Sequence, residues 1–242
     1  MATIAVVPAL NEAGRVGLTV SSLRGLPGVT DVAVIDDGST DDTAVEARAA
    51  GACCLSLPRN VGKGDALNAG VALVRQRIVD GLVGVPDVLL LADADLSGTA
   101  TELLRLIDAL DDRRVDMAIA DLPAQGSTGF GLAKALAAAG LKHFTGRRMN
   151  EPLSGQRAVR WTALPAIVPF APNFGVEVAM TLAAFQAGLN VVEVEVPLEH
   201  SATGRDLSGV LHRANQAGSI VIELAAHAER RMRRRRRARS GA

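Results

Sequence analysis

Two periods alternate along the first half of the chain. Short aliphatic, β-branched runs at Thr3–Val7, Val32–Ile35, Cys53–Leu57 and Val88–Leu91 have the length of buried strands. Between them Arg15–Leu23, Thr43–Ala50, Asp65–Val79 and Thr101–Leu110 carry Ala and Leu at helical spacing. Asp116–Ala120 predicts a fifth strand, and Leu122–Gly131, rich in Gly, Ser and Pro, predicts a loop. The second half is less regular. It predicts a helix over Leu132–Phe144, a strand over Ser154–Val159, a helix over Val176–Ala187, an alternating strand over Val191–Val196 and a terminal helix over Leu207–Ala228. Strand–helix alternation of this kind implies an α/β fold with a mainly parallel, Rossmann-like sheet covered by helices on both faces. No internal repeat is visible. We expect one domain over residues 1–228, with a nucleotide-type half (1–121) and an acceptor-type half (122–228), followed by a basic, disordered tail (229–242).

Composition changes this picture mainly at the C-terminus. The 242 residues hold 26 basic and 26 acidic side chains. The zero sum hides a division, because eight arginines and one glutamate fall between Glu229 and Ala242. The body is therefore mildly acidic and the tail strongly basic. With no Tyr, one Trp and five Phe, a surface that stacks nucleic-acid bases is not expected, and no specific nucleic-acid partner is implied. Cys53 and Cys54 are adjacent, which suits neither a disulfide framework nor a zinc site, so they read as small strand residues. The N-terminal segment lacks the features of a signal peptide. The longest apolar stretch, Leu82–Leu91, is broken by Gly84, Pro86 and Asp87 and is too short to span a bilayer. The expectation is a cytoplasmic protein, with the arginine run able to hold it at the inner face of an anionic membrane. A homodimer is compatible with these features.

Ligands of open parallel sheets bind beyond the carboxyl ends of the strands. Four polar segments fall at such ends: Pro8-Ala-Leu-Asn-Glu12, Asp36-Asp-Gly-Ser-Thr-Asp-Asp42, Pro58-Arg-Asn-Val-Gly-Lys-Gly64 and Ala92-Asp-Ala-Asp95. Asp93 and Asp95, one residue apart, face the same way on an extended segment and suit a hard divalent ion that also binds diphosphate oxygens. An isolated Asp-x-Asp is common, so this pair carries weight only alongside the other segments. Asp37-Gly-Ser-Thr40 also reads as a turn with a helix cap at Asp41, which leaves Asp36 for a nucleobase or ribose. Asn60-Val-Gly-Lys-Gly64 offers N–H groups and an ammonium to phosphate, but lacks the spacing of a P-loop.

Together these four segments resemble the successive motifs of family 2-type glycosyltransferases with the GT-A fold. The likeness is tight over the first hundred or so residues and looser to about His212. It implies a metal-dependent enzyme that moves a sugar, most simply a hexose, from a nucleoside diphosphate, with a UDP-sugar favoured over a GDP-sugar and Mn2+ or Mg2+ as cofactor. By the same resemblance Pro8, Ala9, Asn11, Glu12 and Asp36 would hold the nucleoside, and Lys63 would lie near the base or diphosphate. Asp93, Ala94 and Asp95 would form the Asp-x-Asp element, and His200 would complete the metal ligands with Asp93 and Asp95. Glu151-Pro-Leu-Ser-Gly-Gln-Arg157 and Phe170-Ala-Pro-Asn-Phe-Gly-Val-Glu177 are similar to acceptor-side segments of polyprenyl-phosphate sugar transferases and of glucosyl-3-phosphoglycerate synthases. The implied acceptor bears a phosphate: a polyprenyl phosphate or a small metabolite such as 3-phosphoglycerate. Gln156 departs from the pattern, since a carboxylate often stands there. Glu177 and Asp95 are the candidates for catalysis, although Glu177 also reads as a helix-start carboxylate favoured by the dipole.

Two other classes fit the residues less well. A nucleotidyltransferase shares the sheet topology but usually begins with a Gly-rich, basic loop, whereas here the first loop is Pro-Ala-Leu-Asn-Glu. A silent nucleotide-binding module would have lost the Asp pair, and both aspartates are present.

Overall fold

The computed structural model describes residues 1–122, 131–172 and 175–198. The elements run β1 (Thr3–Ala9), α1 (Val16–Arg24), β2 (Val29–Asp36), α2 (Thr43–Ala49), β3 (Cys53–Ser56), α3 (Lys63–Val79) and β4 (Val88–Leu91). After a 3-10 segment at Ser97–Leu103 come α4 (Leu104–Ala109), β5 (Met117–Asp121), α5 (Gly131–Thr145), β6 (Arg157–Arg160), α6 (Val176–Gln186) and β7 (Val191–Glu195). Each element predicted within these residues is present, with shifted ends. The helix expected over Thr101–Leu110 is divided, its first part tightened into the 3-10 turn. The predicted Leu207–Ala228 helix, the Leu122–Gly131 loop beyond Leu122 and before Gly131, and the basic tail lie outside the described residues.

The strands form one sheet in the order β3-β2-β1-β4-β6-β5-β7. All neighbours are parallel except the two pairs that involve β6. The order reverses direction between β1 and β4, and this switch point is where open α/β sheets take ligands. Alternation along β1 sends Ile4 and Val6 into one core and Ala5 and Val7 into the other, so both faces of the sheet are covered. On α1 the buried positions Val16, Thr19, Val20 and Leu23 follow the helical repeat and face the second core. Cys53 and Cys54 are half-buried free thiols on edge strand β3, in keeping with their reading as strand residues.

Strand β6 brings a second part of the chain to the ligand edge. It pairs antiparallel to β4 with Leu91 opposite Arg157. Its amino end, and the residues just before it, therefore lie at the sheet edge where the parallel strands present their carboxyl ends.

Helix α3 lies close to the sheet because Gly70 has no side chain. A Cβ there would sit 2.4 Å from Val6 Cγ1 and 3.2 Å from Ile35 Cγ1. Gly70→Leu is expected to overpack this contact and destabilise the fold by about 2 kcal/mol. Thermal unfolding should show a fall in Tm of roughly 4–8 °C, with unchanged Tm counting against the contact.

Candidate active site

The carboxyl ends of β3, β2, β1 and β4 lie side by side in that order, and the loops after β1, β2 and β3 are cross-braced by side chains. Asn11 adopts φ 56°, a left-handed conformation that asparagine tolerates better than most residues. Its Oδ1 accepts the Thr40 N–H at 2.9 Å, while its own N–H donates to Ser39 Oγ at 2.9 Å. The Glu12 N–H donates to Thr43 Oγ1 at 2.7 Å. Asp36 accepts the Ser39 N–H at 3.0 Å, making the expected turn. The helix cap expected at Asp41 is one residue early, since α2 begins after Asp42, but Asp41 Oδ1 does accept the Thr43 N–H at 3.0 Å. Asp37 reaches across to the third loop, where its two oxygens accept the Val61 and Gly62 N–H groups at 2.7 and 2.9 Å. Gly38, at φ 77°, permits this approach: a Cβ would lie 2.5 Å from the Arg59 carbonyl carbon.

On the fourth loop Asp93 is held from two sides. Lys63 Nζ lies 2.8 Å from its Oδ1, and Gln156 Nε2 donates to its Oδ2 at 2.7 Å. The same ammonium lies 2.9 Å from Glu177 Oε1, so Lys63 bridges the two carboxylates. Gly155 makes room for this group, because a Cβ there would come within 2.5 Å of Lys63 Nζ and 3.0 Å of both Asp93 oxygens. Burial alone would push the Lys63 ammonium down, but Asp93 and Glu177 outweigh it and hold its pKa above the usual lysine value. The lysine stays charged.

Behind this bridge Arg157 is fully buried. Its Nε donates to the Ser154 carbonyl at 2.9 Å, and one terminal nitrogen donates to Thr181 Oγ1 at 2.9 Å. Thr181 Oγ1 donates in turn to the Glu177 carbonyl at 2.9 Å, which ties Arg157 to the first turn of α6. Burial lowers the guanidinium pKa to about 10, with Glu177 and Glu193 pulling it back up. Arg157 therefore remains a cation at neutral pH.

The structure thus brings Pro8, Ala9, Asn11, Glu12, Asp36, Lys63, Asp93, Ala94, Asp95 and Glu177 to one edge of the sheet. His200 lies outside the described residues. Among the described residues no group of three or more metal-ligating side chains is preassembled. Sequence reasoning missed the roles of Gln156 and Arg157. Gln156, 1% exposed, is an amide donor to Asp93, where a carboxylate would place like charges together.

Glu12 reports on the electrostatics of the edge. Burial first, and then the carboxylates of Asp95 and Asp93, raise its pKa, against the lowering effect of Arg15 at 2.6 Å. Asp93 and Asp95 thus bring further negative charge to the edge where Glu12 stands, and a carboxylate pair so placed suits a hard divalent cation. A carboxyl whose folded pKa is raised loses stability as pH rises through that value. Glu12→Gln removes that titration, so in EDTA its Tm relative to wild type should be higher at pH 7 than at pH 4. A pH-independent difference would contradict the acid cluster.

Residues 4–171 match the family model described as "Glycosyl transferase family 2". A glucosyl-3-phosphoglycerate synthase of Mycolicibacterium paratuberculosis is 31% identical over 218 residues, covering 78% of this chain and 62% of its own length. The chain thus spans about three-fifths of that curated relative. An undecaprenyl-phosphate mannosyltransferase of Micrococcus luteus is 27% identical, and the match covers 92% of this chain and 90% of that protein. Glucosyl-3-phosphoglycerate synthase from Mycobacterium tuberculosis, solved in complex with Mn2+, UDP-glucose and phosphoglyceric acid, superposes with a TM-score of 0.74 at 25% identity. That likeness covers 93% of this chain and 80% of the solved one, and it matches the GT-A fold expected from the sequence.

Proposed function

The chain belongs to glycosyl transferase family 2, and from that membership we propose that it transfers a hexosyl group from a UDP-sugar to a phosphate-bearing acceptor with the help of Mn2+ or Mg2+. The observation that carries this reading is the convergence of the strand-end loops at the switch point of the sheet, with Asp93 and Asp95 on the loop after β4. A body rich in acids receives an anionic donor only with a cation beside it. Asp95 and His200 are assigned as metal ligands, with Asp93 as the further carboxylate of the pair. When bound, the metal supplies Lewis-acid stabilisation of charge on the leaving diphosphate.

The rest of the chemistry belongs to the chain's own residues. Pro8, Ala9, Asn11, Glu12 and Asp36, on the braced loops after β1 and β2, are assigned to the nucleoside. Lys63 bridges Asp93 and Glu177 and places a positive charge where the diphosphate approaches. Transfer breaks the bond between the anomeric carbon and the diphosphate oxygen and forms one to the acceptor oxygen, with oxocarbenium character between. Glu177 is assigned to the acceptor side. It orients that group and, for a hydroxyl acceptor, takes its proton; a phosphate oxygen, already anionic, needs no strong base.

The acceptor is assigned by chemistry as a phosphate. The synthase relative supports a small phosphorylated acid, and the mannosyltransferase relative, matched over nearly its whole length, supports a polyprenyl phosphate. No helix among the described residues is long and apolar enough to cross a membrane. For a lipid-linked acceptor the arginine run from Arg230 to Arg237 would supply peripheral contact with anionic lipid, each charge worth on the order of 1 kcal/mol.

A transfer assay crossing UDP- and GDP-sugars with 3-phosphoglycerate and with polyprenyl phosphate in micelles tests the whole reading. Turnover with one UDP-sugar and one phosphate acceptor, abolished by EDTA, is expected. Asp95→Ala should lower turnover by about 100-fold or more while the protein stays folded. Turnover that survives EDTA and Asp95→Ala unchanged would remove the metal assignment.

A further inference from the structure

Thr19 is fully buried on the core-facing side of α1, yet it carries a hydroxyl at a position where the helical repeat asks only for an apolar side chain. That hydroxyl is engaged with the loop after β4. Thr19 Oγ1 donates to the Ala94 carbonyl at 2.8 Å and accepts the Ser97 N–H at 2.8 Å. A longer contact of 3.3 Å to the Arg15 carbonyl lies within its own helix. The two short bonds reach the residue before Asp95 and the second residue after it, so the hydroxyl closes the turn on which Asp95 stands.

Two features of the turn show what that closure holds. Ser97 has φ 50°, a left-handed conformation costly for a residue with a Cβ, and one that persists only where its surroundings enforce it. Ala94 and Leu96, on either side of Asp95, are 4% and 1% exposed. With its neighbours seated in the core, Asp95 is left half-buried at the edge. The same helix carries Arg15 at its N-cap, paired with Glu12 at 2.6 Å. One turn of α1 therefore fixes the donor loop through Arg15 and the acid loop through Thr19.

We infer that Thr19 is a positioning residue, which sets the Asp95 carboxylate for metal-assisted nucleotide binding by holding the Ala94–Ser97 turn from the core side. This rests on the proposed donor chemistry and adds to it a residue that touches neither metal nor nucleotide. Supporting groups of this kind, once removed, typically weaken metal affinity by 10–100-fold.

The test is calorimetry of UDP binding with and without Mn2+ on the full chain. Thr19→Val keeps the branched shape and deletes both hydrogen bonds, while Thr19→Ser keeps the hydroxyl. The expected result is that Mn2+ strengthens UDP binding in wild type. Thr19→Val should lose roughly tenfold of that gain with its metal-free affinity nearly unchanged, and Thr19→Ser should restore it. If Thr19→Val does not fold by circular dichroism, Thr19→Ala is read in the same way. Equal Mn2+ gains in wild type and variant, or equal losses with and without metal, would overturn the role of Thr19 alone. A wild-type protein whose UDP affinity ignores Mn2+ would overturn the donor reading, and this inference with it.

Discussion

The Lys63 ammonium, shared between Asp93 and Glu177, is the interaction on which the rest of the site depends. It stands at the first residue of α3, at the switch point, and bonds one carboxylate from each half of the chain. Burial opposes its charge and the two partners preserve it in a partly dry setting. Neutral supports surround them: the Gln156 amide on Asp93, and the bare backbone of Gly155 against the ammonium. Cations stand within this acidic edge, Lys63 at the bridge and Arg157 behind it.

Much of this arrangement was legible in the sequence because parallel strands advertise their carboxyl ends. An aliphatic run followed by polar residues names both a strand and a loop at that edge, and four such junctions marked polar residues that the fold gathers there. The second half of the chain obeys a different geometry. Strand β6 runs against its neighbours, so residues that precede it, Ser154 to Gln156, share the edge with residues that follow β4. Four residues of strand carry no signal of direction, and the rule that searches after strands passes over Gln156 and Arg157. Thr19 was hidden for another reason. It falls on the apolar stripe of α1, where a threonine reads as core, and only the fold brings the Ala94 carbonyl and the Ser97 N–H to its hydroxyl.

The bracing of the loops after β1, β2 and β3 also explains why adjacent aspartates in one motif serve different ends. Asp37 spends both oxygens on backbone N–H groups of the third loop, which makes it a structural tie between strand ends. Asp36 makes one short turn contact and stays at the end of its strand. The neighbouring acids are distinguished by what the backbone already asks of them. The same holds on the fourth loop, where Asp93 is engaged by Lys63 and Gln156 while the turn around Asp95 is secured through its neighbours.

Helix α3 meets both halves of the molecule at glycines. Gly70 lies against Val6 and Ile35, and a Cβ at Gly64 would fall 1.8 Å from the Ala171 carbonyl oxygen. Between them Asn68 grips Phe170 in both directions, donating to its carbonyl at 3.0 Å and accepting its N–H at 2.8 Å. Six residues of helix, about 9 Å of rod, separate the two glycine contacts. A rod seated without padding at both ends cannot slide toward one partner without leaving the other. The Lys63 ammonium, carried on the first residue of that helix, is thereby placed by contacts with both halves of the chain and not by its ion pairs alone.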